Sequence, residues 1–546
     1  MIKLNSAPTV VNQLSLWRSG LGCIADKEGY MMNAESMAML NPVTVADLLG
    51  VLCPDLSRNR QYVTQVTADS RRVIPGSIFV ACPGVHADGR DFILDAVKAG
   101  AIAIVVEVPL TPVIKTHLDE AQRQGCLVIE VQQGREQLGL MLSRFYGKPS
   151  AQLSVTAVTG TNGKTSCAYL IARALEVMHQ PAGMIGTLGW GVASHLKATQ
   201  LTTPSAETLQ SHCAVFRDQG IQSVVLEASS HALDQSRLSG LNIDRAIFTN
   251  LTRDHLDYHQ TLDEYFESKL KLFLRPELQH AIINLDDPYG PQIADRMSKK
   301  VKVIGVSTSE QITTFPTCIL QSSEVSDEGI NMQVSTPWGM VDLQSKLQGH
   351  FQMMNLLLVL PVLVLSGLSL KEICQAIALI DHIPGRMECL GGHTRPRVVV
   401  DYAHTPDALK SVLTHVRSLT KGQLHVVFGC GGARDVGKRK LMGAIAEELA
   451  DEVILTNDNP RDEAPELIMQ DICSGLVCPW GVSIEYDRCA AIQKAIAQAS
   501  VDDVVVIAGK GHEQVQIIGG QYHSHSDVDY AQERLNVWTT PVSDIV

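Results

Sequence analysis

A chain of 546 residues has room for about three to four domains, and its 45% hydrophobic and 19% charged residues are those of folded protein rather than of a disordered tail. A net charge of −13 argues against general affinity for nucleic acid or anionic membrane, which need excess Lys and Arg, so anionic small molecules must be held by local basic sites. Thirteen scattered cysteines without a C-x-x-C pair, and an opening stretch without a secretory signal's apolar core, lead us to expect a cytoplasmic protein.

Residues 1–40 show no steady periodicity and read as an N-terminal extension of unknown role. Residues 41–50 then open like a capped helix, and strand-like runs at 77–81 and 101–107 alternate with a helical segment at 91–98, which predicts a small α/β unit over 41–150. A second unit, 151–384, carries strand-like runs at 223–227, 245–249 and 281–284. β-branched runs alternating with helices predict a mostly parallel sheet with ligands at its C-terminal strand ends. The apolar stretch 356–365 contains Pro361 and is shorter than the ~20 residues of a membrane span, so it reads as a buried helix. A third unit, 385–546, has strands at 397–400, 425–428, 452–455 and 503–507 and reads as doubly wound α/β.

The second unit starts with the strongest signal. Residues 155–159 form a β-branched run that breaks at Gly160, Thr161, Asn162, Gly163, Lys164, Thr165 and Ser166 into a helix-forming segment, 167–177. Glycines at such a junction let backbone N–H groups face phosphate oxygens, and the helix N-terminus adds partial positive charge. Lys164 would reach the terminal phosphates and the Thr165 hydroxyl would ligate Mg²⁺. The first glycine of the common G-x-x-x-x-G-K-[ST] spacing would fall at Val158, so this loop is a variant.

Later strands of the unit end in Glu227, Ser229, Ser230 and His231, and in Asn250, Arg253, Asp254, His255, Asp257 and His259. A carboxylate and an imidazole near Thr165 would hold Mg²⁺ against β and γ phosphates, although each residue alone also suits a helix cap or a surface hydrogen bond. Lys269 and Lys271 follow on a helix, where spacing alone reads as a solvated face. In the third unit a glycine-rich bend carries Arg434, one strand ends in Asp458, Asn459, Pro460 and Arg461, and another in Gly509 through Glu513. Two guanidiniums and a carboxylate would clamp an amino acid, the arginines on carboxylate and Glu513 on ammonium. Asp69 to Arg72 and His86 to Arg90 would serve an anionic head group.

Taken in order, these motifs resemble the Mur ligase family of peptidoglycan precursor synthesis. The resemblance runs from about residue 42 to the C-terminus and includes Thr202-Thr203-Pro204, Gly385-Arg386-Met387-Glu388 and Asp401-Tyr402-Ala403-His404. It implies three domains: one binding a uridine nucleotide, a central P-loop ATPase, and a C-terminal Rossmann-like domain that brings an amino acid. It also implies ATP as co-substrate, Mg²⁺, and an acyl phosphate on the D-glutamyl side chain of UDP-N-acetylmuramoyl-L-Ala-D-Glu. Residues 160–166 with Asn355, Arg386, Asp401 and His404 would contact ATP. Thr165, Glu227, His255 and a carbamylated Lys269 (N6-carboxylysine) would surround the metal, with Lys164, Lys269, His255 and Glu227 catalytic.

Ser70, His86, Ala87 and Asp88 would contact the uridine nucleotide, and Thr202, Thr203, Ser229, Gln235 and Arg237 the muramoyl dipeptide. Arg434, Asp458, Asn459, Pro460, Arg461, Gly509 and Glu513 would contact the amino acid. Arg461 marks members that add meso-diaminopimelate, whose second carboxylate it would pair with; it would repel L-lysine. The partners implied are small molecules only, with no nucleic acid, no membrane span and a monomeric chain. This sequence departs from the family pattern at Leu201, Gln352, Ala433 and Lys440. Those departures leave open a specialised paralogue using another amino acid or precursor, a related ligase such as a folylpolyglutamate synthase, and a non-catalytic nucleotide-sugar-binding paralogue.

Overall fold

The computed structural model describes residues 42–84, 87–310 and 313–539, so the extension at 1–40 and His86 lie outside the described residues. The expected capped helix runs Val45–Leu49, with Thr44 and Asp47 forming a capping box. Strands β1 (Gln65–Thr67), β2 (Ser77–Ala81), β3 (Ala103–Glu107) and β4 (Leu127–Val131) form a parallel sheet in sequence order. Alternation along β2 and β3 sends Ile78, Val80 and Val105 against Leu138, Met141 and Phe145 on one face. Phe79, Ala81, Ile104 and Val106 meet Ile93, Ile114 and Leu118 on the other.

The second sheet comprises β5 (Ser154–Thr159), β6 (Ala182–Gly186), β7 (Gly189–Val192), β8 (His195–Lys197), β9 (Ser223–Glu227), β10 (Arg245–Phe248), β11 (His280–Asn284), β12 (Lys302–Ser307), β13 (Thr317–Ser326), β14 (Gly329–Thr336) and β15 (Gly339–Ser345). Their order is β15-β14-β13-β12-β11-β10-β5-β9-β6-β7-β8. The sheet is parallel from β13 through β6, as the β-branched runs predict. Antiparallel additions at both edges, β13-β14-β15 and β6-β7-β8, were not expected. Ile330, Met332, Val334, Val341 and Leu343 of the larger one turn inward, while Asn331, Gln333, Asp342 and Gln344 remain exposed. The C-terminal ends of β5, β9 and β10 are neighbours, which gathers Gly160, Glu227 and Thr249 at one edge of the sheet.

Residues 356–365 lie in the buried helix Phe351–Leu365, which accommodates Pro361. No helix among the described residues is long and apolar enough to cross a membrane.

The third sheet contains β16 (Glu388–Gly391), β17 (Arg397–Asp401), β18 (Leu424–Phe428), β19 (Glu452–Leu455), β20 (Ser483–Ile484) and β21 (Val504–Ala508), ordered β16-β17-β21-β18-β19-β20. Only β16 pairs antiparallel. Val426, Phe428 and Val506 face one core with Leu409, Met442 and Ile472. Val427, Ile454 and Val505 face a second with Ile492, Ile496 and Leu535. Helices cover both faces, so the unit is doubly wound as expected. A small hairpin, β22 (Val515–Ile518) and β23 (Gln521–Ser524), follows β21.

Candidate active site

The loop after β5 requires its glycines. Gly160 and Gly163 have φ +147° and +87°, and a Cβ would lie 1.8 Å from Thr249 Oγ1 at the first and 2.6 Å from Asn355 Oδ1 at the second. The helix Lys164–Val177 begins at Gly163 with no side-chain cap, leaving first-turn N–H groups for an anion. Lys164 Nζ donates to the carbonyl oxygens of Gly160 (3.0 Å) and Thr161 (2.8 Å), and burial holds its pKa below the ordinary lysine value.

Lys269 corrects the solvated-face reading. It is 1% exposed, its Nζ donates to Gly160 O at 2.7 Å, and it lies 4.2 Å from the Tyr265 ring centre. Burial, reinforced by the charge of Lys164, pushes its pKa well below the ordinary value. The neighbouring Lys271 does face solvent and pairs with Asp234 at 2.8 Å.

A cavity of about 480 Å³ opens beside this loop. Glu227, fully buried, accepts from the Thr165 hydroxyl (2.9 Å) and from the Thr187 hydroxyl (3.1 Å) and amide (2.7 Å). His255 lines the same cavity with its ring edge-on to His231 and Nε2 3.4 Å from Asp254, and burial holds its pKa well below the usual histidine value. Among the described residues no three His, Cys, Asp or Glu side chains converge as a metal cage.

The third unit supplies the opposite wall. Asp401 accepts from the amides of Met387 (2.8 Å) and Ala403 (2.7 Å), Arg386 lies 4.1 Å from the Tyr402 ring centre, and His404 Nε2 is 3.5 Å from Asp254. Asn355 donates from Nδ2 to Gln352 Oε1 at 2.8 Å.

A second cavity, about 290 Å³, is lined by Arg434, Asp458, Asn459, Arg461, Gly509 and Glu513 and shares Thr202, Ser229, Asp254, His255, Tyr402 and His404 with the first. Pro460 is not in its wall; its carbonyl backs Gly432, where a Cβ would come within 2.0 Å. Arg461 adopts φ +55°, and the hairpin after β21 holds it there: its amide donates to Ile517 O (3.0 Å) and its carbonyl accepts from Gly519 N (2.7 Å). Burial and the nearby charge of Arg434 lower the Arg461 pKa, the electrostatics of paired guanidiniums that favour an anion between them.

Ser70, Ala87 and Asp88 line neither cavity. Arg71 and Arg90 pair with Asp69 (2.7 Å) and Asp88 (2.6 Å), and Arg72 pairs with Glu207. Thr203 and Arg237 line the second cavity, where Arg237 Nη1 donates to Thr203 O (2.8 Å), and Gln235 supports Arg237 from behind (Nε 3.1 Å).

With this geometry in view, three descriptions match the chain in order: "Mur ligase family, catalytic domain" at residues 62–146, "Mur ligase middle domain" at 158–363 and "Mur ligase, glutamate ligase domain" at 385–511. A protein of Chromobacterium violaceum named UDP-N-acetylmuramoyl-L-alanyl-D-glutamate--2,6-diaminopimelate ligase is 44% identical over 478 residues, 87% of this chain and 95% of its own. This chain belongs to the Mur ligase family. A relative of the same name from Pseudomonas aeruginosa is 42% identical over 90% of this Mur ligase and 99% of its own length. A solved structure of that name superposes with TM-score 0.65 at 34% identity, covering 91% of this chain and 99% of the other. A MurF structure from Acinetobacter baumannii shares the fold, with TM-score 0.60 at 17% identity over 86% of this chain and 96% of its own.

Three of the departures have structural consequences in this Mur ligase. Gln352 is buried and holds Asn355 beside the loop. Ala433 has φ +52°, a left-handed conformation that costs an alanine energy, and its amide donates to Glu463 at 2.8 Å. Leu201 is half exposed at the rim of the second cavity. Nothing in the structure explains Lys440. Two wall residues are not marked by the sequence: Lys438 pairs with Asp254 at 3.4 Å across the two cavity-forming units, and Thr187, just after β6, donates to Glu227. Lys438 lies in the first turn of the helix Gly437–Leu449, and nothing local to it signals a cross-domain partner.

Proposed function

We propose that this Mur ligase uses ATP to join meso-diaminopimelate to the side-chain carboxylate of the D-glutamyl residue in UDP-N-acetylmuramoyl-L-Ala-D-Glu, in peptidoglycan precursor synthesis. The observation that carries this reading is contiguity. The cavity with the phosphate loop and the cavity with Arg434, Arg461 and Glu513 share a wall that includes His255, so a carboxylate activated in one lies beside an amine held in the other.

A carboxylate is a poor acylating agent, and phosphorylation gives it a good leaving group. One carboxylate oxygen attacks the γ-phosphorus, ADP departs, and an acyl phosphate remains. Loop amides and Lys164 oppose the charge that develops on the phosphoryl oxygens. The substrate amine then attacks the acyl carbon, the tetrahedral intermediate expels inorganic phosphate, and the nitrogen loses its extra proton to leave an amide.

Thr165 and Glu227 are our ligands for Mg²⁺, with His255 and a carbamate on Lys269 beside them. The hydroxyl–carboxylate pair at 2.9 Å fits this ion, which keeps several waters and takes few protein ligands besides substrate phosphates. When bound, Mg²⁺ supplies charge neutralisation at the phosphates. Lys269 suits carbamylation because CO₂ adds only to a neutral amine, and its buried position beside Lys164 disfavours the ammonium.

Asn355, Arg386, Asp401 and His404 complete the ATP contacts in this reading. Ser70, His86, Ala87 and Asp88 in the 41–150 unit take the uridine nucleotide, and Thr202, Thr203, Ser229, Gln235 and Arg237 the muramoyl dipeptide. Arg434 and Arg461 hold substrate carboxylate, and Arg461 disfavours L-lysine. We assign the reaction to the cytoplasm and to a monomer. The twelve described cysteines, all free, accord with a reducing compartment.

The test is amino-acid-dependent phosphate release from MgATP and UDP-N-acetylmuramoyl-L-Ala-D-Glu, with product mass, comparing meso-diaminopimelate with L-lysine. Release and the tripeptide mass with meso-diaminopimelate alone are expected. Silence with both amino acids overturns the assignment.

A further inference from the structure

Lys510 is fully buried at the end of β21, between two residues of the second cavity. Its Nζ donates to Glu513 Oε2 at 2.7 Å and to Asn459 Oδ1 at 3.0 Å. Asn459 closes the triangle, donating from Nδ2 to the same Glu513 Oε2 at 3.0 Å, and its Oδ1 also accepts from the Ile517 amide at 2.9 Å. One ammonium therefore fastens together the loop after β19, the loop after β21 and the hairpin that holds Arg461. A buried ammonium is retained only when its charge and protons are matched, and here every recorded partner belongs to the amino-acid cavity or braces it.

The bonds to Glu513 are one-sided. Both fall on Oε2, while Oε1 accepts none among the described residues, and the Glu513 side chain keeps 27% exposure in the cavity wall. We infer that Lys510 is a positioning residue for amino-acid recognition: it pins one oxygen of Glu513 so that the other is presented to the substrate's ammonium. The inference rests on the function proposed above. A cationic anchor behind a carboxylate has a second effect. It cancels that carboxylate's net charge, so Glu513 opposes less strongly the substrate carboxylates that Arg434 and Arg461 would hold.

Without Lys510, Glu513 keeps a single protein hydrogen bond and gains rotamer freedom that binding must then remove. The loss should appear in amino-acid affinity and not in nucleotide chemistry. The test uses the full chain and steady-state kinetics with meso-diaminopimelate, ATP and the UDP-linked dipeptide for wild type, Lys510→Met, Lys510→Arg, Glu513→Gln and the Lys510→Met/Glu513→Gln pair. The expected result is a KM for meso-diaminopimelate raised about tenfold or more in Lys510→Met, a KM for ATP and a saturating kcat within about twofold of wild type, and substantial recovery in Lys510→Arg. Because Lys510 acts through Glu513, the double variant should be no worse than Glu513→Gln alone. It also leaves no unpaired buried charge, so it serves if Lys510→Met fails to fold. An unchanged amino-acid KM, a parallel loss in every parameter, or additive losses in the double variant would overturn the inference while leaving the ligase reading intact. A wild-type protein inactive with meso-diaminopimelate would overturn both.

Discussion

Lys269 Nζ donates to the carbonyl oxygen of Gly160 at 2.7 Å, fastening a buried amine of the helix Leu262–Leu270 to the first glycine of the phosphate loop. Lys269→Ala removes that anchor and the nitrogen that would carry a carbamate. Ligation should fall by at least about a thousandfold, as for loss of a group that stabilises transition-state charge, and high bicarbonate should not restore it. Phosphate release measures this, and near-normal turnover would sink the carbamate role.

Arg461→Ala removes one of the three guanidiniums that line the amino-acid cavity. Loss of a charge-assisted hydrogen bond predicts a KM for meso-diaminopimelate raised about 10- to 100-fold, with the KM for ATP within about twofold. Equal losses for both substrates would refute the assignment.

Of the ion pairs that join the central and third units, two near the cavities differ in burial. Arg253 and Asp435 meet at 3.1 Å with side chains 41% and 5% exposed, and Asp435 also accepts from the Gly437 amide at 2.9 Å, whereas Lys438 and Asp254 meet at 3.4 Å with side chains 8% and 5% exposed. Breaking an exposed pair costs at most about 1 kcal/mol, while leaving a buried charge alone costs several. Lys438→Met should therefore lower kcat at least about tenfold and Arg253→Ala less than about threefold. The reverse order would show that these contacts do not hold the units together during turnover.

The left-handed backbone of Ala433, φ +52°, predicts a stabilising substitution. Ala433→Asn should add about 1 kcal/mol, since asparagine tolerates this region better than alanine. That corresponds to about 2–4 °C in the melting transition of a domain this size. No gain in calorimetry would mean that the loop relaxes before unfolding.

His415 is buried with neither ring nitrogen hydrogen-bonded among the described residues, and burial lowers its pKa to about 4. The unfolded chain takes up that proton near pH 6.5, so this contribution to stability is full above pH 6.5 and declines as pH falls toward 4. At most about 3 kcal/mol is involved. His415→Leu should flatten the stability–pH curve between 6.5 and 4 in urea unfolding, and an unchanged slope would remove His415 as a source of acid sensitivity.

The sequence by itself determined the strand–glycine–helix junction at Gly160, the parallel centre of the second sheet and the doubly wound third unit. These follow from local periodicity, and from turns that only glycine can make. It also carried Arg434, Asp458, Arg461 and Glu513, which line one cavity and which we propose hold the amino acid, because polar residues placed after apolar runs gather at one edge of a parallel sheet. Helical spacing places Lys269 on the face of Tyr265, Phe266 and Leu270 and Lys271 opposite, but tertiary structure alone decided that the Lys269 amine is buried against the Gly160 carbonyl. It also decided that Arg71 and Arg90 are spent on their own neighbours, that Lys438 meets Asp254 184 residues away, and that Lys510 stands behind Glu513. Lys438 and Asp254 are brought together by packing between distant segments, whereas the Arg71, Arg90 and Lys510 pairs are local ones that the folded backbone closes, and the charge and burial of each lysine depend on what the fold places against it.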